Sequence, residues 1–308
     1  MPFNQRKNHT LLILFILTIL FNASGSFAQK LSMAEAKHAG DSIIPEAILP
    51  FWQSLTLKEK VAQTLMVYMP SASYIKKHQF GGVLIMKPHL KDTLHLKEEL
   101  SLANESLKIP LLTAIDQEGG QVNRLQAISP EWKNLPSAKE MRTMTDDSVY
   151  NLAKQIGNAL HHYGINLNLA PVLDPPKDSK GKPSFIEVSN RSFGEFETAV
   201  PKIRSFVKGM KESKVLSTSK HFPGYDSWTN SDHQIAFSTS SKEIILRNVE
   251  LFKEFADEIP VVMLSSVRFV RLSNTPAVFN PKITAMAREI SPYTVLLTDD
   301  LWGVSLRA

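Results

Sequence analysis

Seven short apolar runs, each followed by polar or charged residues, alternate along this chain with longer segments whose apolar residues recur at helical spacing. Parallel strands need a crossover between them, so this alternation is the signature of repeated strand-helix units around a parallel sheet. The candidate strands are residues 64–69, 82–86, 110–115, 166–173, 215–219, 260–265 and 294–298. Between them, Val149, Leu152, Ala153, Ile156, Leu160 and Tyr163 share one helical face, and Gly164 is placed to stop that helix. Ser240 and Glu243 predict a capping box for a helix that buries Ile245, Val249, Phe252 and Ala256 and ends near Pro260.

The polar residues after the strands are not evenly spread. Asp116, Gln117 and Glu118 follow one strand, Asp174 another, Lys220 and His221 a third, and Asp299 and Asp300 the last. In a closed parallel barrel these positions share the C-terminal face, where loops from different strands converge on one site. A doubly wound open sheet shares the alternation but usually carries a glycine-rich phosphate loop. Neither G-x-G-x-x-G nor G-x-x-x-x-G-K-[ST] occurs here, so the fold class expected is α/β, a TIM-type barrel with about seven of its eight strands present.

Composition bounds the partners. With 308 residues, 43% apolar and 21% charged, the chain is long enough for one large core, and no tract marks a second domain. It has no Cys, which removes disulfides, thiolate metal sites and a thiol nucleophile. Residues 1–28 read as a secretory signal peptide: Arg6 and Lys7, a largely apolar run over 11–21, then Ser26-Phe27-Ala28 before Gln29. The run is shorter than the ~20 apolar residues a bilayer needs, so the expectation is a secreted or periplasmic protein with no stable membrane anchor. Cleavage after Ala28 lowers the formal charge from +5 by the two basic residues lost. The remaining Lys and Arg are scattered and not clustered with aromatic residues, which argues against nucleic acid as a partner.

Four segments carry possible chemistry. In DQEGGQVNR, residues 116–124, Gly119 and Gly120 permit a tight return. Asp116 at the strand end points to a cleft where it can accept hydrogen bonds from adjacent sugar hydroxyls, with Arg124 its ion-pair partner or a surface charge. Arg191 in NRSFG offers a planar donor fork. In SKHFPGYDSWTNSDHQ, Lys220 and His221 stand at a strand end, and Pro223-Gly224 opens a loop that reaches His233, an imidazole suited to proton transfer. Asp226 and Asp232 are the carboxylates near enough in sequence to orient that ring. In TVLLTDDLWG, Asp299 or Asp300 can attack an anomeric carbon, bind Mg²⁺ or cap the next turn. His161-His162 closes the amphipathic helix and reads as helix-end capping.

Taken in order, KVAQTLMV, GGVLI, DQEGGQVNRL, GINLNLAPVLD, NRSFG, KHFPG with a His nine residues after its Gly, and TDDL resemble glycoside hydrolase family 3. Within it they are similar to bacterial β-N-acetylglucosaminidases (β-hexosaminidases) of the muropeptide-recycling type. The resemblance runs from about Leu57 to Gly303 and implies that residues 29–308 are the family's N-terminal barrel domain. It implies removal of terminal β-linked N-acetylglucosamine from cell-wall muropeptides or chitin oligosaccharides, with retention of configuration. By position, Asp299 is then the nucleophile and His233 the general acid/base, while Asp116, Arg124, Arg191, Lys220 and His221 bind the sugar. No metal or organic cofactor is implied.

The sequence departs from the resemblance in two ways. The family's loop places a carboxylate two residues before the His, whereas Ser231-Asp232-His233 places it adjacent, and Tyr225-Asp226 replaces the usual His-Gly. The family also continues past the position of Ala308 through a helix, the eighth strand and its helix, so a C-terminally truncated barrel, or one completed by another segment or chain, is expected. The alternatives are a catalytically inactive sugar-binding remnant or fragment, and a family 3 β-glucosidase.

Overall fold

The computed structural model describes residues 48–291 and 293–306. The leader-like residues 1–28 lie outside the described residues. All seven apolar runs form strands: β1 (Met66–Tyr68), β2 (Gly82–Ile85), β3 (Leu112–Ile115), β4 (Leu167–Asn168), β5 (Leu216–Phe222), β7 (Val261–Leu264) and β9 (Val295–Thr298). The two strands absent from the sequence reading, β6 (Phe237–Ser238) and β8 (Arg268–Phe269), pair in parallel as a separate two-stranded ribbon.

The large sheet runs β1-β2-β3-β4-β5-β7-β9, every pair parallel, so chain order is spatial order and each return passes over one face. Strands of such a sheet are buried on both sides, and the pleat sorts their residues. Leu84, Ala114, Val261, Met263, Val295 and Leu297 pack together on the inner face. Their neighbours Val83, Ile85, Ile115, Val262, Leu264 and Leu296 join the outer core beneath the helices. The result is the curled, incomplete TIM-type barrel anticipated from the alternation. Strands β1 and β9 end the sheet order. Across their C-terminal ends, Trp302 Nε1 donates to the Tyr68 hydroxyl at 2.9 Å.

The fourth strand is far shorter than residues 166–173. Pro171 has no N–H to give a ladder, and only isolated bonds continue the pairing, such as Leu173 N to the Lys220 carbonyl at 2.6 Å.

The helix predicted around Val149 spans Asp146–His162; Thr145 caps it by accepting from Ser148 N, and Gly164 leaves it at φ +78°. It packs on the helix Phe196–Glu212, where a Cβ on Gly209 would lie 2.6 Å from the Tyr150 carbonyl oxygen, so the close approach requires glycine. The later helix spans Lys242–Glu254, but its cap differs from the expected box: Ser241 is the N-cap and accepts from Ile244 N at 3.4 Å. Ser240 is engaged elsewhere, with Asp226. Among the described residues no helix is long and apolar enough to cross a membrane.

Candidate active site

The polar residues that follow the strands do converge. A cleft of about 610 Å³ at the C-terminal ends of the strands is lined by Asp116, Glu118, Arg124, Arg191, Lys220 and His221 on one side. On the other side stand Asp232 and the segment from Asp299 to Trp302.

The first wall is built by the DQEGG loop. Gln117 is fully buried; its backbone N–H donates to Asn168 Oδ1, and its side-chain oxygen accepts from Arg124 N and Leu125 N. Gly119, at φ +93°, turns the chain where a side chain would collide with the Pro136 carbonyl oxygen. The loop thereby delivers Asp116 and Glu118 to the cleft. Lys220 Nζ bridges them, 2.7 Å from Asp116 Oδ1 and 2.7 Å from Glu118 Oε1, although it is only 2% exposed. Arg191 closes on Glu118 as a two-pronged pair, with Nε and Nη2 each 2.8 Å from a carboxylate oxygen.

Burial alone would push the Glu118 carboxyl up and the two cations down. Here the burial of Glu118 is outweighed by Arg191 and Lys220, which hold its carboxyl well below the usual range. Arg191 is held above its ordinary value, its burial outweighed first by Glu118. Lys220 is likewise raised, the carboxylates of Asp116 and Glu118 overcoming burial and the repulsion of Arg191. The cluster is charge-balanced internally, two acids against two bases. Arg191 is itself held in place by the loop around it: its backbone N–H donates to the Ile186 carbonyl, and Arg142 reaches the neighbouring Ser192 carbonyl at 2.9 Å.

Lys220 and His221 are consecutive, and a regular pleat would send them to opposite faces. The register against β7 shifts between Lys220 and Phe222, and both side chains reach the cleft. His221 is fixed by Asp174, which sequence reasoning noted only as a strand-end residue. The buried Asp174 carboxylate accepts from His221 N at 2.8 Å and Tyr225 N at 2.6 Å, and meets His221 Nδ1 at 2.6 Å. With Nδ1 committed to Asp174, Nε2 is the ring nitrogen left for a ligand. Asp174 thus fixes both the ring and the root of the loop that follows.

Arg124 lines the cleft, but Asp116 takes Lys220, not Arg124, as its ion-pair partner, and the Arg124 Nε is buried without a hydrogen bond. Asp226 is a second correction. It is 2% exposed, bonded to the Ser240 hydroxyl and raised by burial, so it is committed to the start of the helix Lys242–Glu254 and does not orient His233. Asp232 stands on the cleft rim. Its carboxyl is raised by partial burial and then by the charge of Asp299.

In the second wall, Asp299 follows β9, with its N–H on the Leu264 carbonyl at 3.0 Å. Its Oδ2 accepts from Ser266 Oγ at 3.1 Å and its Oδ1 from Asp300 N at 2.9 Å. Ser266 was invisible to sequence reasoning, because it lies after β7 and carries no motif. Asp300 points its carboxylate at Trp302 N and Gly303 N, so it caps the turn. Both acids line the cleft, and Asp300 commits one carboxylate oxygen to the turn. Among the described residues no group of three or more His, Asp or Glu is arranged to hold a metal ion. His162 meets Tyr163 edge-on at the end of its helix, away from the cleft.

Residues 56–290 match the sequence profile described as the glycosyl hydrolase family 3 N terminal domain. A β-hexosaminidase of Actinobacillus pleuropneumoniae serotype 3 (strain JL03) is 28% identical over 208 residues, covering 64% of this chain and 58% of that protein. The chain therefore spans less than two thirds of that relative's length. Among solved structures, a glycoside hydrolase family 3 β-N-acetylglucosaminidase from Paenibacillus sp. str. FPU-7 superposes with a TM-score of 0.70 at 28% identity, over 82% of this chain and 51% of that one. A β-N-acetylhexosaminidase from Beutenbergia cavernae DSM 12333, at 24% identity, shares the fold with a TM-score of 0.71 over 82% and 81% of the two chains.

Proposed function

The chain belongs to glycosyl hydrolase family 3, and on that premise we propose that it is a retaining glycosidase. It removes terminal β-linked N-acetylglucosamine through a covalent glycosyl intermediate on Asp299. The observation that carries this reading is the shared cleft: an interlocked set of hydroxyl-binding groups, Asp116, Arg191, Lys220 and His221, lines the same cavity as an oriented carboxylate, Asp299.

The carboxylate attacks C1 of the terminal sugar while the bond from C1 to the aglycone oxygen breaks, and that oxygen takes a proton from a side chain on the loop 225–233. Water then attacks C1, gives a proton back to the same side chain and releases Asp299. Hydrogen bonds from Ser266 and from Asp300 N hold both oxygens of the nucleophile in place before substrate arrives. On the opposite wall, Lys220 and Arg191 are already paired, so sugar hydroxyls meet fixed donors and acceptors. Arg124 adds a donor at the same wall. The leader-like residues 1–28 support export, which brings cell-wall muropeptides and chitin oligosaccharides within reach.

The test is hydrolysis of an aryl β-N-acetylglucosaminide, with the matching β-glucoside for comparison and Asp299→Asn as background. Turnover of the first substrate alone, with the β-anomer of N-acetylglucosamine as the first product by NMR, is the expected result. Sugar binding in a calorimeter without turnover favours the inactive sugar-binding alternative. Neither turnover nor binding overturns the reading.

A further inference from the structure

The loop that follows β5 carries the side chains able to move a proton, and one buried residue ties both of its ends to the cleft. At the root stands Tyr225, whose N–H donates to the same Asp174 carboxylate that fixes His221. Its side chain is 3% exposed, with the ring set edge-on to His221 at 5.8 Å between centroids and tilted against Phe185 at 6.1 Å. From this root the chain runs out past the exposed Trp228, and the Tyr225 hydroxyl reaches across to the returning end. It accepts from Ser231 N at 2.7 Å and donates to the Thr229 carbonyl at 2.5 Å, six and four residues further on. Burial pushes this phenol above its usual range, so it keeps the proton it donates. Ser231 is itself buried, and its N–H has to find a partner within the protein. The chain then winds into a tight turn, with the Asn230 side-chain oxygen accepting from Asp232 N at 2.9 Å and the Asn230 carbonyl from His233 N and Gln234 N. Asp232 and His233 both leave the loop from that turn.

We propose that Tyr225 is a positioning residue for proton transfer: its hydroxyl is the strut that sets where the loop's acid/base side chain stands relative to the sugar held at His221. The proposal rests on the glycosidase reading above and deepens it. Tyr225 N shares Asp174 with His221, so the strut refers the end of the loop to the sugar-binding wall. Without the hydroxyl, the buried Ser231 N–H loses its acceptor and the Thr229 carbonyl its donor, a cost the chain relieves by letting this end of the loop shift. The outer contacts that remain, Ser305 N to the Ser231 carbonyl at 3.0 Å and Val304 N to the Asp232 carbonyl at 3.3 Å, tie the loop only to the segment beyond β9. Asp232 and His233 follow Ser231 within two residues, so a shift there carries to the group that moves the proton. Proton transfer needs its donor within hydrogen-bond reach of the aglycone oxygen, and a misplacement of ~1 Å can cost on the order of 10²-fold in rate. Asp299 takes its own hydrogen bonds from Ser266 and Asp300 N, so the strut bears on proton transfer and not on the attack at C1. Tyr225 also stands where the resembled family has His, which makes the strut a property of this chain.

The experiment compares Tyr225→Phe with the wild type, in the full chain, on phenyl and 2,4-dinitrophenyl β-N-acetylglucosaminides, the second of which leaves without protonation. Phenylalanine keeps the ring beside His221 and Phe185 and removes only the hydroxyl. On the phenyl glycoside kcat/KM is expected to fall by about 10- to 100-fold, and on the dinitrophenyl glycoside by less than about threefold. The inhibition constant for N-acetylglucosamine is expected to stay within about twofold, because Asp174 still holds His221. Equal losses on the two glycosides, or an inhibition constant that rises in step with them, mark a packing role and overturn the proposal. So does a Tyr225→Phe enzyme as fast as the wild type on the phenyl glycoside. An Asp299→Asn variant that still hydrolyses overturns the underlying reading instead, which keeps the two failures apart. A second readout needs no turnover: by amide hydrogen exchange, Ser231 N–H is expected to be protected in the wild type and to exchange at least about tenfold faster in Tyr225→Phe, with His221 N–H unchanged. Free exchange at Ser231 in the wild type overturns the proposal.

Discussion

The two walls of the cleft are built on opposite principles. In the wall from β3 to β5, the charges other than Arg124 are spoken for: Glu118 holds Arg191 and Lys220, Lys220 holds Asp116, and Asp174 holds His221 and the backbone of Tyr225. The wall formed by the loop and the turn after β9 holds its acids by hydrogen bonds without ion pairs and leaves the Asp232 carboxyl with neither among the described residues. A buried ionic lattice is rigid and costly to interrupt. On the proposed reading, recognition rests on the first wall and bond-breaking on Asp299 in the second. Damage to the first should therefore register as lost stability and sugar affinity, and damage to the second as lost rate.

The largest expected effect tests the second wall. Asp299→Asn should lower kcat by at least about a thousandfold while leaving the melting temperature within about 2 °C. A large drop in melting temperature would break the comparison. Glu118→Gln should behave in the opposite sense, because it leaves Arg191 and Lys220 buried without their shared carboxylate. A loss of about 3–5 kcal/mol is expected, read by calorimetry as a melting temperature lower by on the order of 10 °C.

The same carboxyl gives a pH signature. Since its folded value lies well below that of an unfolded Glu, the stability it contributes is complete above pH ~4.3 and fades as pH falls below that towards the folded value. Acid melting curves should be less steep in Glu118→Gln than in the wild type. Asp174→Asn should weaken N-acetylglucosamine binding by about 1–3 kcal/mol, through the His221 tautomer, with a smaller change in kcat; isothermal titration checks it. Ser266→Ala removes one hydrogen bond from Asp299 and should lower kcat by about 0.5–1.5 kcal/mol of barrier, near tenfold. Smallest of all, Trp228→Ala on the exposed face of the loop should stay within about 0.5 kcal/mol in urea unfolding.

Much of the fold was legible because it is written in local periodicity. Apolar runs of five to eight residues, flanked by helices with Gly164 as a stop, located all seven strands of the large sheet. Polar residues after the strands pointed to the end of the barrel where the cleft lies. The strand expected over 166–173 shrank to Leu167–Asn168 because Pro171 interrupts its ladder. The ribbon of β6 and β8 was missed because two-residue strands have no period to detect. Glu118 was in view in its motif, yet nothing in a string of letters shows that it faces inward.

By itself, then, the sequence determined the alternating architecture, the end of the sheet where polar side chains gather, and most of the residues that gather there. Partnership was decided only by tertiary structure. Lys220 lies 104 residues from Asp116, and Arg191 lies 73 from Glu118. Which of several acids meets which base depends on the lateral order of strands, which no local pattern encodes. Tertiary structure also decided between acids on one loop, withdrawing Asp226 to Ser240 and leaving Asp232 on the cleft rim. The physical reason is common to both: periodicity fixes which face of an element a side chain occupies, but at a turn the direction is set by whatever the backbone docks against.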